Sequence, residues 1–182
     1  MVDILKCLVL ILTILLTACE QKAEVENIKV YSHNGISFEY PGNWDVTEDY
    51  EIGDVRLLFV ESPGSGMMAI EVYDYQDSLS LRDFVDVDIE SLVSRVKSSF
   101  LVIDSIAVVR HQKVVNDKQF IGFRYEIEYS LLGFNVPHFT EVFQLSNGEK
   151  SAYLSGQVAV EDGDLVVPGF DLVIASFSLE ET

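Results

Sequence analysis

The sequence predicts an α+β domain in which an antiparallel sheet of about six to eight strands is packed with two helices. Three observations carry that reading. From Ile28 onward apolar residues mostly recur at every second position, the period of strands with one covered face. Asn34-Gly35, Asn116-Asp117 and Asn147-Gly148 punctuate these runs at hairpin spacing, and Asn-Gly supplies the two positive φ angles of a type I′ turn. Two segments break the alternation with helical spacing, Leu81 to Ser99 and Asp164 to Ala175.

Taken in order, Ile28 to His33 and Ile36 to Tyr40 form the first hairpin, ended by Pro41. Trp44 to Thr47, Val55 to Glu61 and Met67 to Tyr75 read as strands, separated by Gly53 and by Pro63-Gly64-Ser65-Gly66. Ser80-Leu81-Arg82-Asp83 has the spacing of a capping box, with Asp83 in the place usual for Glu. Leu81, Val85, Ile89, Leu92, Val93 and Val96 then share one helical face, and Asp83, Asp86 and Glu90 the other. Strands return at Ser105 to Val115 and at Gln119 to Ser130, where Phe123, Tyr125, Ile127 and Tyr129 alternate with Arg124, Glu126 and Glu128. Val136 to Leu145 and Lys150 to Val158 pair across Asn147-Gly148. The terminal helix carries Pro168 near its first turn, and Ser176-Phe177-Ser178-Leu179 closes the chain.

Ahead of the domain, Cys7 to Leu16 is an apolar run broken only by Thr13, long enough for about half of a ~30 Å hydrocarbon core. That is the h-region of a signal peptide rather than an anchor. The run ends in Leu16-Thr17-Ala18-Cys19, which resembles the lipobox of bacterial lipoproteins. The resemblance implies that residues 1–18 are removed and that Cys19 is acylated, with palmitate among its chains. The product is then held on a membrane of the bacterial cell envelope, facing the periplasm. Glu20 in place of Asp favours, by the same resemblance, the outer membrane. No free thiol survives this processing, since Cys7 leaves and Cys19 becomes a thioether. Glu20 to Asn27 is polar and acidic and reads as a flexible tether. The organisation is thus a leader (1–18), a lipidated Cys with its tether (19–27) and one domain (28–182).

The 182 residues hold 12 Lys and Arg against 30 Asp and Glu, a net charge of −18. Such a surface does not neutralise phosphates, which excludes nucleic acid and disfavours bare anionic membrane. With 48% hydrophobic residues the chain is not disordered.

Ile36-Ser37-Phe38-Glu39-Tyr40-Pro41-Gly42-Asn43-Trp44 resembles the opening of PsbP-like and DcrB-like domains, an alternating strand that runs into Tyr-Pro-x-x-Trp. Ser80-Leu81 opening a helix, the strand pairs after it and a terminal helix running into Ala175-Ser176-Phe177 extend the likeness over about 28 to 180. The resemblance implies an α/β/α sandwich and a binding or assembly role. That family includes a photosystem II accessory subunit, a nuclear-import factor, envelope lipoproteins and secretion-system chaperones. Tyr40 and Trp44 are expected as core aromatics around the Pro41 turn, with the indole N–H finding a local acceptor.

Chemical motifs are sparse. Gly64-Ser65-Gly66-Met67-Met68-Ala69 fits G-x-G-x-x-A, but a strand pattern follows where a dinucleotide site needs a helix N-terminus. His33, His111 and His138 are too scattered for a local metal motif, and Glu161-Asp162-Gly163-Asp164 lacks the ligand alternation of a calcium loop. Arg110, His111 and Lys113, with Lys118 across the turn, form the densest basic stretch and are the candidate partner contact, against a reading as edge-strand charges that discourage aggregation. No catalytic residue, cofactor or metal ligand is identified, and the chain is read as a non-enzyme. The expected function is a lipid-anchored binding or assembly accessory with a protein partner, a basic one if charge decides. The alternative is a periplasmic inhibitor or immunity protein that captures a basic toxin or hydrolase. A hydrolase or small-ligand carrier would need a cleft of several hundred Å3 lined by Tyr and His.

Overall fold

The computed structural model describes residues 21–97, 101–131 and 134–180. In chain order they form β1 (Ile28–His33), β2 (Ile36–Pro41), β3 (Asp45–Ile52), β4 (Val55–Glu61), β5 (Met67–Asp74), α1 (Leu81–Val96), β6 (Val102–Val115), β7 (Lys118–Leu131), β8 (Phe134–Ser146), β9 (Lys150–Ala159), α2 (Gly163–Ser176) and β10 (Ser178–Leu179). Residues 1–20, the expected leader and Cys19 among them, lie outside the described residues, as do Ser98 and Ser99 at the predicted end of α1.

The class is α+β, and the strands divide into two antiparallel sheets rather than one. Seven form the order β3-β4-β5-β9-β8-β7-β6, and three form β1-β2-β10. The division falls at the Pro41 corner, where Trp44 N–H donates to the Pro41 carbonyl at 3.0 Å and turns the chain out of the small sheet. Trp44 itself belongs to that corner, so β3 starts one residue later than the alternation suggests. The closing tail adds to β2, pairing Ser178 with Ser37 and Leu179 with Ile36. Asn34 and Gly35 take φ of 49° and 75°, and Asn116 and Asp117 take 50° and 62°, as type I′ turns require. At the third turn only Gly148 is left-handed, and Asn147 Oδ1 instead accepts from the N–H groups of Glu149 and Lys150.

The large sheet packs against other elements on both faces, though not over its whole width. On one side α2 and the small sheet bury Phe38, Leu58, Ile70, Leu154 and Phe170. On the other, α1 packs over Tyr125, Ile127, Val142 and Tyr153. The central strand β9 is buried from both sides, so Ala152, Tyr153 and Leu154 are consecutive apolar residues, with Ala152 and Leu154 facing one core and Tyr153 the other. Ser80 caps α1 by accepting the Asp83 N–H, and Phe84, which the heptad-like reading passed over, stacks on Tyr153 with ring centroids 4.0 Å apart. In α2, Val166, Phe170, Val173 and Ile174 make one buried stripe.

Trp44 is 0% exposed and meets Phe170 edge-on at 5.6 Å. Its expected acceptor is missing: Nε1 has no hydrogen-bond partner among the described residues. The six-membered half of the indole lies so close to Gly169 of α2 that a Cβ there would fall 2.5 Å from Trp44 Cζ2. The ring is thus placed by packing, at the expense of an unsatisfied donor worth about 1–3 kcal/mol.

The tether also needs correction, because its Lys22 to Glu24 segment is docked. Ala23 is 3% exposed and its N–H donates to Leu165 of α2 at 3.0 Å. The Asn43 side chain grips the same segment, donating to Lys22 O and accepting from Glu24 N–H, both at 3.0 Å. Gly42 N–H reaches Glu24 O at 3.2 Å, and a side chain at 42 would collide with the Asn27 carbonyl. Polar composition suggests a leash; a carbonyl of α2, the Asn43 side chain and the Gly42 N–H bind it instead.

Gly169→Ala gains about 1 kcal/mol of helix propensity but drives a methyl into the indole, so a net loss of about 1–2 kcal/mol is expected. Urea unfolding of the single variants and of Gly169→Ala with Trp44→Phe should show the two positions coupled by more than 0.5 kcal/mol.

Candidate functional site

A charged centre lies on the α2 side of the large sheet. Glu141 of β8 sits between Phe139 and Phe143 on an inward-facing register, with its side chain 4% exposed. Neighbouring strands bring basic side chains to it, since Arg124 of β7 is its direct register partner and β6 supplies His111 and Lys113. Lys113 Nζ bridges Glu141 Oε2 and Asp171 Oδ1 of α2, at 2.5 Å each, and so ties helix to sheet. His111 Nε2 lies 3.2 Å from Glu141 Oε1 without the alignment of a hydrogen bond. Burial pushes the His111 pKa down, and the Glu141 carboxylate opposes that shift. Arg124 lies over the Phe139 ring at 3.8 Å, with its guanidinium shared between Glu126 at 3.1 Å and Glu141 at 3.7 Å.

Beside this centre a cleft of about 420 Å3 runs from Arg124 and Glu141 past Phe139 to Val160, Val167 and Pro168 near the start of α2. Asp164 also lines it, so its apolar wall carries one guanidinium, already shared between Glu126 and Glu141, and two carboxylates.

The opposite face holds a second polar group beneath α1. Tyr125 donates to Asp88 Oδ2 at 2.6 Å, and Tyr73 to Glu71 Oε2 at 2.7 Å. Burial raises the pKa of both carboxyls; each donated hydrogen bond and the charge of Arg95 pull the other way. A third centre joins the two sheets. Arg56 makes a bidentate pair with Asp49 at 2.8 and 2.9 Å, donates to Tyr31 at 2.7 Å, and reaches the carbonyls of His33 and Asn34. The Arg56 bonds hold the Asp49 carboxyl below its usual range, while burial and Asp49 push the Tyr31 hydroxyl up to about 12.

The predicted partner contact is divided by the pleat. His111 and Lys113 turn toward Glu141, whereas Arg110 pairs with Phe123 on the α1 side. Lys118 reaches the Ala175 carbonyl at 3.3 Å, at the end of α2. His33 ends β1, His138 lies edge-on to Tyr129 at 5.2 Å, and His111 stands beside Glu141, so the three histidines do not share a site. Among the described residues no three His, Cys, Asp or Glu side chains are grouped to hold a metal. Gly64 to Gly66 forms a loop held by Ser62 Oγ and continues into β5, and Ser65 Oγ donates to Asp162 at the start of α2.

Glu141, Arg124, Asp171, Asp88 and Arg56 were not singled out from the sequence. A signal existed for three of them. Glu141 interrupts the Phe139, Phe143 series and Arg56 the Leu58, Val60 series at period two, and Asp88 follows Phe84 by one helical turn.

No family model matches this chain, and no curated protein sequence matches it. Among solved structures it is similar to the solution structure of cyanobacterial PsbP (CyanoP) from Synechocystis sp. PCC 6803, at 18% identity and a TM-score of 0.46, covering 85% of this chain and 94% of that one. It is also similar to a crystal structure from Bacteroides thetaiotaomicron at 12% identity and a TM-score of 0.46. That match covers 90% of this chain and half the length of the other.

Two titrations probe these centres. Glu141→Gln removes the charge that favours protonated His111, so the His111 pKa should fall further, as read by NMR of the imidazole. Asp88 has a raised pKa in the fold, so its buried charge lowers stability increasingly as pH rises above the usual value of 3.8. Asp88→Asn keeps an oxygen for Tyr125; it should stabilise the protein at pH 7, with the gain shrinking toward zero as pH falls below 3.8 in urea unfolding series.

Proposed function

We propose that this chain is a lipid-anchored protein of the bacterial envelope that acts as a non-enzymatic binding or assembly accessory. The observation that carries the reading is the closeness of Leu16-Thr17-Ala18-Cys19 to the docked segment: Cys19 precedes the buried Ala23 by four residues. At ~3.5 Å per residue, acyl chains on Cys19 would hold Ala23 within about 14 Å of the bilayer, closer than a free tether to Asn27 would. The β2–β3 corner and the first turns of α2 then face the membrane, and the far ends of both sheets face the periplasm. Two or three acyl chains anchor stably where one would not.

A second reading, an inhibitor that captures a basic toxin or hydrolase, draws support from the net charge of −18, which accelerates encounter with a cationic partner.

In a bacterial host the mature chain should begin at Cys19 with the added mass of its acyl groups and should incorporate labelled palmitate. Cys19→Ala should incorporate none. A wild-type chain recovered without acyl mass would remove the anchor.

A further inference from the structure

The two helices cover the large sheet unequally. α1 lies over β6, β7 and β8 and reaches β9 through Phe84 on Tyr153. Beyond Tyr153 the same face continues across β5, β4 and β3 in ordered rows. One row runs Tyr153, Glu71, Leu57, Tyr50, and the next runs Ser155, Ala69, Phe59, Glu48. Tyr50, Ile52, Leu57, Phe59, Met67 and Ala69 belong to neither hydrophobic core. Ile52 is 62% and Tyr50 40% exposed, and Tyr50 stacks on Phe59 at 6.5 Å. Six apolar side chains on three adjacent strands form a contiguous patch of the kind that marks an interaction site.

Charge and width select its occupant. From Asp45 to Asp74 the sequence holds eight carboxylates and one cation, Arg56, which faces the other side and is bound to Asp49. Glu48 and Glu61 stand on the apolar face itself, and Glu51 and Asp54 are exposed along and just beyond the β3 edge. A second copy of this chain would bring the same negative field against it. Three strands at about 4.8 Å spacing present a strip ~10 Å wide between outer strands, the diameter of one helix.

We propose that the open half of this sheet, on β3, β4 and β5, docks a basic amphipathic helix of a protein partner. The helix lies beside α1 in the same layer, with its apolar stripe on Leu57, Phe59 and Ala69 and its Lys or Arg residues against Glu48 and Glu61. This rests on the binding role proposed above and is independent of the lipid at Cys19.

The test uses the full chain in non-ionic detergent and a fluorescent Leu/Lys amphipathic peptide of about 18 residues, long enough to hold a helix. The control is the same peptide with Glu for Lys. The Lys peptide should bind and the Glu peptide should not. Affinity should fall severalfold between low and high salt, and hydrogen exchange should slow in β3, β4 and β5. Ile52→Lys, at an exposed position that leaves both cores intact, should weaken binding at least tenfold. Val109→Lys, on the distant β6 strand, should leave binding unchanged. Cys19→Ala should bind like wild type, so loss of the anchor and loss of docking are read separately. Equal binding of both peptides, protection confined to β6, β7 or the α2 cleft, or no binding would each overturn the proposal. So would a dimer that Ile52→Lys dissociates, since the face would then be covered by a second copy.

Discussion

Trp44 has no contact with solvent, and four parts of the molecule close on it. The Pro41 carbonyl fixes its backbone, Gly169 lets α2 approach its ring, Phe170 meets it edge-on, and Asn43 beside it holds the segment from Lys22 to Glu24. The corner built around it separates the small sheet from the large one. The same corner sets where the N-terminal segment leaves the domain. An indole with an unsatisfied N–H is tolerated here because the buried area of the ring outweighs one lost hydrogen bond.

The charges inside the domain act as connections between elements. Arg56 joins the small sheet to the edge of the large one, Lys113 joins β6 and β8 to α2, and Asp88 joins α1 to β7 through Tyr125. Each interrupts an apolar face and is matched on another element, since an unmatched charge in that position would destabilise the fold strongly. The two faces of the large sheet are finished differently. The α2 side is closed along most of its width, whereas α1 closes only half of its side, and the uncovered strands include β3, the strand richest in carboxylates.

Much of the architecture was legible because local rules decided it. Asn34-Gly35 and Asn116-Asp117 adopt the left-handed angles that their composition favours, and Ser80 caps the helix it precedes. The stripe of α2 and the alternation of β7 follow from burial of one face at a fixed period. The errors share a cause. The tether was read from polarity, but backbone hydrogen bonds to Leu165 and Asn43 hold it. Arg110, His111 and Lys113 were read as one stretch, but adjacent strand residues face opposite ways. Asp88 stands one turn from Phe84 on the buried stripe, a polar interruption that apolar periodicity does not register.

Composition, hairpin dipeptides and periodicity by themselves determined an α+β chain with two helices in these places, an acidic surface and an apolar N-terminal run that ends in Leu16-Thr17-Ala18-Cys19. These properties depend on near neighbours along the chain. The tertiary structure alone decided that the strands divide into two sheets, that Glu141 gathers Lys113, Arg124 and His111, that Ala23 is buried, and that half of one sheet face stays open. Each of those depends on residues distant in sequence meeting across strands and layers, and side-chain period within one element carries no information about what that element meets.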